Sequence, residues 1–146
     1  MKSNFCGCCP EHNGLPFVKL DDLKEICRVL DKEGFQIHIH AIGDGAISNA
    51  LDALEYAQTK NGKREWRAHI AHIHIPNPKD LPRFKELDVT ANFQPFWACP
   101  EDDQWNVVLP NIGKERWAWQ YPIQSIVKTG ARLAFGSDWY SIMGRS

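Results

Sequence analysis

The chain has 146 residues, of which 43% are hydrophobic and 24% charged, and its formal net charge is -1. This composition is ordinary for one globular domain or part of one, and the near-neutral charge without a basic run argues against a nucleic-acid partner. No apolar stretch approaches the roughly 20 residues of a membrane helix, and the first 20 residues lack the layout of a signal peptide. We therefore predict a cytoplasmic protein with no membrane partner.

The cysteine content supports the same compartment. Five cysteines leave one unpaired in any complete disulfide framework, so reduced thiols are the simpler interpretation. Cys6, Cys8 and Cys9, followed by His12, offer four potential zinc ligands, but their spacing matches no paired CxxC arrangement. A loop with free thiols is the favoured interpretation of this cluster, and a structural zinc site is the alternative.

An irregular segment is predicted before the first helix. Residues 1–16 lack periodicity and are rich in glycine and proline, which predicts an irregular segment before a domain over 17–146. A helix then begins at Asp21 or Asp22, either of which is able to cap it, and ends at Gly34. Its apolar residues recur every three or four positions, the spacing of one helix face.

Strands and helices alternate through the rest of the domain. The predicted strands cover residues 35–40, 66–74, 89–94 and 132–136. A helix beginning at Asp44 follows the turn AIGDG, which lacks the third glycine and the lysine of phosphate-binding loops. Strict alternation implies parallel strands joined by right-handed crossovers, as in a doubly wound sheet or a (β/α)₈ barrel.

A long connection over residues 95–120 carries four of the six tryptophans. These are Trp97, Trp105, Trp117 and Trp119. A loop of this length inside a compact domain is usually functional. It forms either a wall of a substrate pocket or a cover over apolar surface.

Three of the predicted strands end at residues able to bind a metal: His40, His72 and Asp138. The carboxyl ends of parallel strands meet along one rim, so we expect these side chains to converge. Imidazole nitrogens and a carboxylate oxygen suit zinc, and a bound metal lowers the pKa of its water toward neutrality. The pattern predicts a metal-assisted hydrolase, in which Asp138 also serves as general acid and base.

The alternation of side chains along a strand predicts the face on which each remaining histidine lies. On a strand, His38 shares a face with His40 and His74 shares one with His72, whereas His69 points away from His72. His38 and His74 are therefore possible additional ligands. The alternative for each is a core histidine bonded to the backbone.

Several segments in order resemble the amidohydrolase-3 family, the group of metal-dependent amidohydrolases that includes N-substituted formamide deformylase-like enzymes. The segments are HIHAIGDGAISNALDALE, RAHIAHIHIPNPKDLPRFKELDVTANFQPFWACPE, GKERWAWQYP and GARLAFGSDW. The resemblance covers about residues 14–139. It implies an α/β fold, namely a distorted TIM-like (β/α)₈ barrel. It also implies an enzyme that hydrolyses carbon-nitrogen bonds other than peptide bonds with one or two divalent metals, for which we expect zinc.

The resemblance also implies roles for individual residues. His40 and His72 match metal-binding histidines of the fifth and sixth strands, and Asp138 matches the eighth-strand aspartate that contacts metal and handles a proton of water. His38 and His74 match no ligand position. We predict that Gln94, Trp97 and Trp139 bind substrate, a small amide-type molecule.

The chain also departs from the family pattern. The first-strand HxH pair and any fourth-strand lysine have no counterpart, nor do the last barrel helix and the flanking β-sandwich. We therefore expect strands five to eight of a partial barrel, a fragment of a larger enzyme; the alternative is a catalytically inactive truncated module. Two open sheet edges would favour self-association.

Overall fold

A computed structural model describes residues 14–99, 102 and 104–139. The helices are α1 (Leu20–Lys32), α2 (Asp44–Asn61), α3 (Leu81–Glu86), α4 (Leu109–Trp117) and α5 (Ile123–Thr129). The strands are β1 (His38–Ile42), β2 (His69–His74), β3 (Thr90–Phe93) and β4 (Leu133–Phe135). Within this part of the chain, no helix combines the length and apolar character needed to cross a membrane.

The four strands form one parallel sheet in the order β1-β2-β3-β4. His38 lies opposite His69, which in turn lies opposite Thr90. On the other side of β3, Asn92 lies opposite Ala134. The predicted α/β class with parallel strands is confirmed, and β1 and β4 are the two edges of the sheet.

Helices cover one face of this sheet and form the core with it. Ile70 and Ala91 lie opposite each other on β2 and β3, and both are completely buried. They share a cluster with the apolar face of α2, which contributes Ile47, Leu51 and Leu54. Since strand side chains alternate, His38 and His40 fall on the opposite face and are exposed.

Helix α1 differs from its prediction at one end. It begins at Leu20, and no side chain caps it, so Asp21 and Asp22 lie in the first turn instead of at the cap. Carboxylates in that turn still stabilise the positive end of the helix dipole. The predicted end is confirmed: Gly34 adopts a φ of 84°, and the Phe35 N–H donates to the carbonyl of Leu30 at 3.0 Å.

The connection predicted as a long loop is mostly helical where it is described. It contains a 3₁₀ turn over Pro95–Ala98, a π-helical turn over Gln104–Val108, and α4. Helix α4 is kinked at Gly113, whose φ is 76°. Glycine and proline inside the pattern hid these short helical segments from the sequence prediction.

A buried acidic residue fixes α2 to the turn that precedes α3. Asp80 is 6% exposed and accepts hydrogen bonds from Ser48 Oγ at 2.5 Å and Arg83 Nη1 at 3.2 Å. The same guanidinium donates to Asp52 and Glu55, both at 2.7 Å. Because this turn directly follows β2, the network holds the carboxyl end of that strand against α2.

Candidate metal centre

The backbone at the carboxyl end of β2 departs from regular strand geometry. His72, Ile73 and Ile75 have φ values of 70°, 55° and 58°. The register with β1 shifts after Ala41, and the strand ends are joined by a hydrogen bond from Gly43 N–H to the His74 carbonyl at 2.8 Å. Left-handed conformations are unfavourable for β-branched residues, so neighbouring contacts must stabilise this end.

This geometry changes the predicted side-chain directions. The His72 ring lies beside His40, whereas the His74 ring stacks on Tyr121 with centroids 4.9 Å apart. The expectation that His72 and His74 share a face did not anticipate these different ring partners. The positive φ angles at His72 and Ile73 interrupt the alternation on which it was based.

His40 and His72 lie together near the carboxyl ends of adjacent strands, although β1 continues past His40 to Ile42 and β2 continues past His72 to His74. Their ring centroids are 4.4 Å apart in an edge-to-face arrangement, with His72 buried and His40 exposed. Burial lowers the pKa of His72, the neighbouring His40 lowers it further, and the Asp138 carboxylate acts in the opposite direction. A lowered pKa favours the neutral imidazole, which is the form that binds a metal.

Asp138 follows β4 and is held by a tryptophan of the preceding connection. Its Oδ2 accepts a hydrogen bond from Trp97 Nε1 at 3.0 Å, and its φ is 53°. The Trp97 side chain thus contacts the predicted catalytic carboxylate. Trp139, the next residue, is 67% exposed.

Gln94 supports the strained end of β2. Its Oε1 accepts the backbone N–H of His72 at 3.1 Å, and its Nε2 donates to Asn92 Oδ1 at 3.3 Å. Gly136 lies beside both amides, since a Cβ there would be in ordinary van der Waals contact with each at 3.8 Å. Nothing in the sequence pattern indicated this contact, because it depends on the irregular backbone at His72.

The donor set has the chemistry of a zinc site, with two imidazoles and one carboxylate. Among the described residues, no three His, Cys, Asp or Glu side chains are arranged to hold one metal ion. The structure thus pairs His40 with His72 and brings the charge of Asp138 close to His72. Further ligands would be needed to complete a catalytic site. The cluster of Cys6, Cys8 and Cys9 lies outside the described residues.

An apolar cavity of about 620 Å³ lies beyond the carboxyl ends of β1 and β2. Its volume is within the range of small-molecule sites. None of the predicted substrate residues Gln94, Trp97 and Trp139 lines it. Its walls include Ile42, Gly43, Asn49, His74, Ile75, Val107, Val108, Asn111 and Ile112.

Parallel strands with histidines at their carboxyl ends are typical of metal-dependent α/β hydrolases. The chain belongs to the amidohydrolase family: the family model Amidohydro_3, described as Amidohydrolase family, matches residues 2–144. The resemblance inferred from the sequence motifs is thereby confirmed.

Individual relatives are much longer than this chain. Protein LONG AFTER FAR-RED 3 of Arabidopsis thaliana is 35% identical over 131 residues, which are 89% of this chain and 22% of that protein. Uncharacterized metal-dependent hydrolases from Pyrococcus furiosus and Pyrococcus horikoshii OT3 are 29% and 28% identical, each with a TM-score of 0.74. The alignments cover 90% of this chain and 26% and 25% of those structures. The chain thus spans about a quarter of the relatives it matches, which agrees with the predicted partial barrel.

Proposed function

We propose that this chain contributes His40, His72 and Asp138 to the divalent metal centre of a hydrolase. The observation that supports the proposal is the pairing of the His40 and His72 rings at adjacent strand ends, with centroids 4.4 Å apart. The reaction we propose is hydrolysis of a non-peptide carbon-nitrogen bond in a small amide-type substrate by metal-activated water. Zinc suits this donor set best.

Each side chain has a separate part in this proposal. His40 and His72 would hold the metal through neutral imidazole nitrogens, and a bound metal would supply a water molecule of lowered pKa. Asp138 would accept a proton from that water and return it to the leaving nitrogen. Trp97 orients the carboxylate through its Nε1–H, and Gln94 fixes the backbone of His72.

A second candidate is a catalytically inactive module that binds metal weakly. It is favoured by the lack of a three-ligand group among the described residues. Metal affinity depends on the number and preorganisation of ligands, so a two-histidine site retains some affinity. For either candidate we propose a cytoplasmic location, because the odd number of cysteines favours reduced thiols.

Zinc binding by matched variants tests the metal centre. Titrations are made with Cys6, Cys8 and Cys9 replaced by serine, so that these thiols do not compete for the ion. We expect His40→Ala and His72→Ala each to weaken zinc binding by roughly tenfold or more, since even outer-shell partners of a metal site contribute 10–100-fold. His74→Ala is the control, because its ring stacks on Tyr121. Equal affinities for all variants would rule out the centre.

Hydrolysis by the isolated chain separates the two candidates. With added zinc and a panel of N-acyl amines and cyclic amides, we expect no measurable turnover from this chain alone. A rate that disappears in both His40→Ala and His72→Ala would contradict that expectation and favour a working enzyme.

A further inference from the structure

A second pair of histidines lies on the same sheet face, one side-chain row below His40. His38 and His69 are directly opposite each other on β1 and β2. Their ring centroids are 5.5 Å apart and the rings are tilted by 37°. Within the described part of the chain, neither imidazole takes part in a hydrogen bond or an ion pair, so the ring nitrogens are free to bind a ligand.

The spacing of this pair is that of two imidazoles sharing one metal ion. With a zinc-nitrogen bond of 2.0–2.1 Å, each ring centroid lies roughly 3.2 Å from the ion, so a tetrahedral angle separates the centroids by about 5.2 Å. The observed 5.5 Å requires only small side-chain rotations to reach that arrangement. The His40 and His72 rings are closer, at 4.4 Å, and meet edge to face.

A third polar group occupies the same row. Thr90 lies opposite His69 on β3 and is 2% exposed. Its buried Oγ1 has no hydrogen-bond partner. A buried hydroxyl without a partner is costly, and a ligand in this row, or water bound to it, would satisfy that group.

We propose that His38 and His69 form a separate binding site for a divalent transition-metal ion, with Thr90 Oγ1 facing the same row. The ion is of the class that prefers imidazole, namely Zn²⁺, Ni²⁺ or Cu²⁺. Since residues two apart on a strand are separated by roughly 6.6 Å, the site lies one row below the His40 row. It uses no residue of the proposed catalytic centre.

Histidine side-chain NMR tests this site directly. Zn²⁺ is titrated into the ¹⁵N-labelled chain, and the ring ¹⁵N resonances are assigned from His38→Gln and His69→Gln. The titration is repeated with His40→Ala and His72→Ala combined, so that the outcome does not depend on the catalytic proposal. We expect the His38 and His69 rings to shift together with one saturation curve in both backgrounds, and either single Gln substitution to weaken that transition at least tenfold.

Two results would overturn the proposal. One is a His38 or His69 resonance that stays in place up to millimolar Zn²⁺ while the amide spectrum confirms folding. The other is a transition lost when His40 and His72 are replaced, because the ion would then belong to the upper row. Thr90→Val keeps the side-chain shape, so the His38 and His69 resonances should still shift together, but at a higher Zn²⁺ concentration. Full retention of the Zn²⁺ affinity would exclude Thr90 from the site.

Discussion

The indole of Trp97 donates a hydrogen bond to the carboxylate of Asp138, across 41 residues of sequence, at 3.0 Å. This contact joins the turn after β3 to the end of β4. Among the residues that the structure describes, only the Oδ2 of Asp138 accepts a hydrogen bond. A carboxylate held this way loses less conformational freedom when it binds a metal or receives a proton.

Replacing this donor should weaken metal binding without unfolding the chain. For Trp97→Phe we expect zinc affinity to fall roughly tenfold, the lower end of the range for outer-shell partners of a metal site. Calorimetric titration measures it. Trp105→Phe is the matched control, because Trp105 packs against Trp117 instead of a carboxylate. Similar losses in both variants would show that the indole acts through packing alone.

Gln94 gives a stability prediction. Gln94→Leu removes the acceptor of the His72 N–H, and a buried donor without a partner costs roughly 1–3 kcal/mol. Gln94→Glu keeps an acceptor at that position and should recover part of the loss. Urea unfolding at neutral pH measures both. If Gln94→Leu and Gln94→Glu destabilise the chain equally, the Gln94 side chain does not support β2 through this hydrogen bond.

Arg83 neutralises the buried Asp80. Removing one partner of a buried ion pair leaves an uncompensated charge, so Arg83→Met should lower the free energy of unfolding by roughly 3 kcal/mol. Arg28→Met is the control, since the Arg28–Glu25 pair is more exposed and exposed ion pairs contribute little to stability. Chemical denaturation compares them, and equal effects would contradict a special role for Asp80.

Cys27 should resist alkylation in the folded chain. Burial raises the pKa of its thiol from 9.0 to about 11, with a smaller contribution from Asp31, so the reactive thiolate is scarce at pH 8. Cys99 is exposed and serves as the internal control. Peptide mapping after a brief iodoacetamide pulse should find Cys99 modified and Cys27 unmodified until urea is added. Equal labelling before urea would show that Cys27 is accessible.

The same thiol makes a contribution to stability that depends on pH. Because the folded pKa is raised, this contribution is complete below pH 9 and is lost as the pH rises to about 11. The loss is at most roughly 2–3 kcal/mol. The free energies of unfolding of wild type and Cys27→Ala should therefore converge as the pH rises above 9. A difference between them that stays constant with pH would contradict the raised pKa.

The open edge at β4 predicts self-association. Phe135 lies on this strand and is 58% exposed, next to backbone groups that pair with no further strand among the described residues. We expect Phe135→Lys to shift the chain toward monomer in light scattering after gel filtration. Val127→Lys, at an exposed apolar residue of α5, is the control. Unchanged mass for Phe135→Lys would place any association elsewhere.

Elements with strong local signals were predictable from the sequence. Gly34 and Gly62 mark helix ends because both need a positive φ, and the start of α2 at Asp44 follows from its turn. The first two strands were predicted to begin three residues too early, since β1 starts at His38 and β2 at His69, and β1 continues to Ile42 instead of ending at His40. Periodicity alone does not fix where backbone pairing begins.

One side-chain contact of the candidate site was predictable from the sequence, but the geometry around it was not. The pairing of His40 with His72 follows from parallel strands in sequence order, a tertiary rule that local patterns reveal. The different ring partners of His72 and His74 depend on residues in the left-handed conformation. The hydrogen bond that holds His72 there comes from Gln94, which is 22 residues away in sequence. Such long-range support has no local signature, and the same is true of the Trp97–Asp138 hydrogen bond.

The strand order has a consequence for how the chain folds during synthesis. Each strand pairs with the one made before it, and the partners are separated by 31 residues for His38 and His69, by 21 for His69 and Thr90, and by 42 for Ala91 and Leu133. Loops of this size close with little additional entropy. Each of β2, β3 and β4 therefore has its partner synthesised before it, and the strand order is compatible with growth of the sheet in the direction of translation.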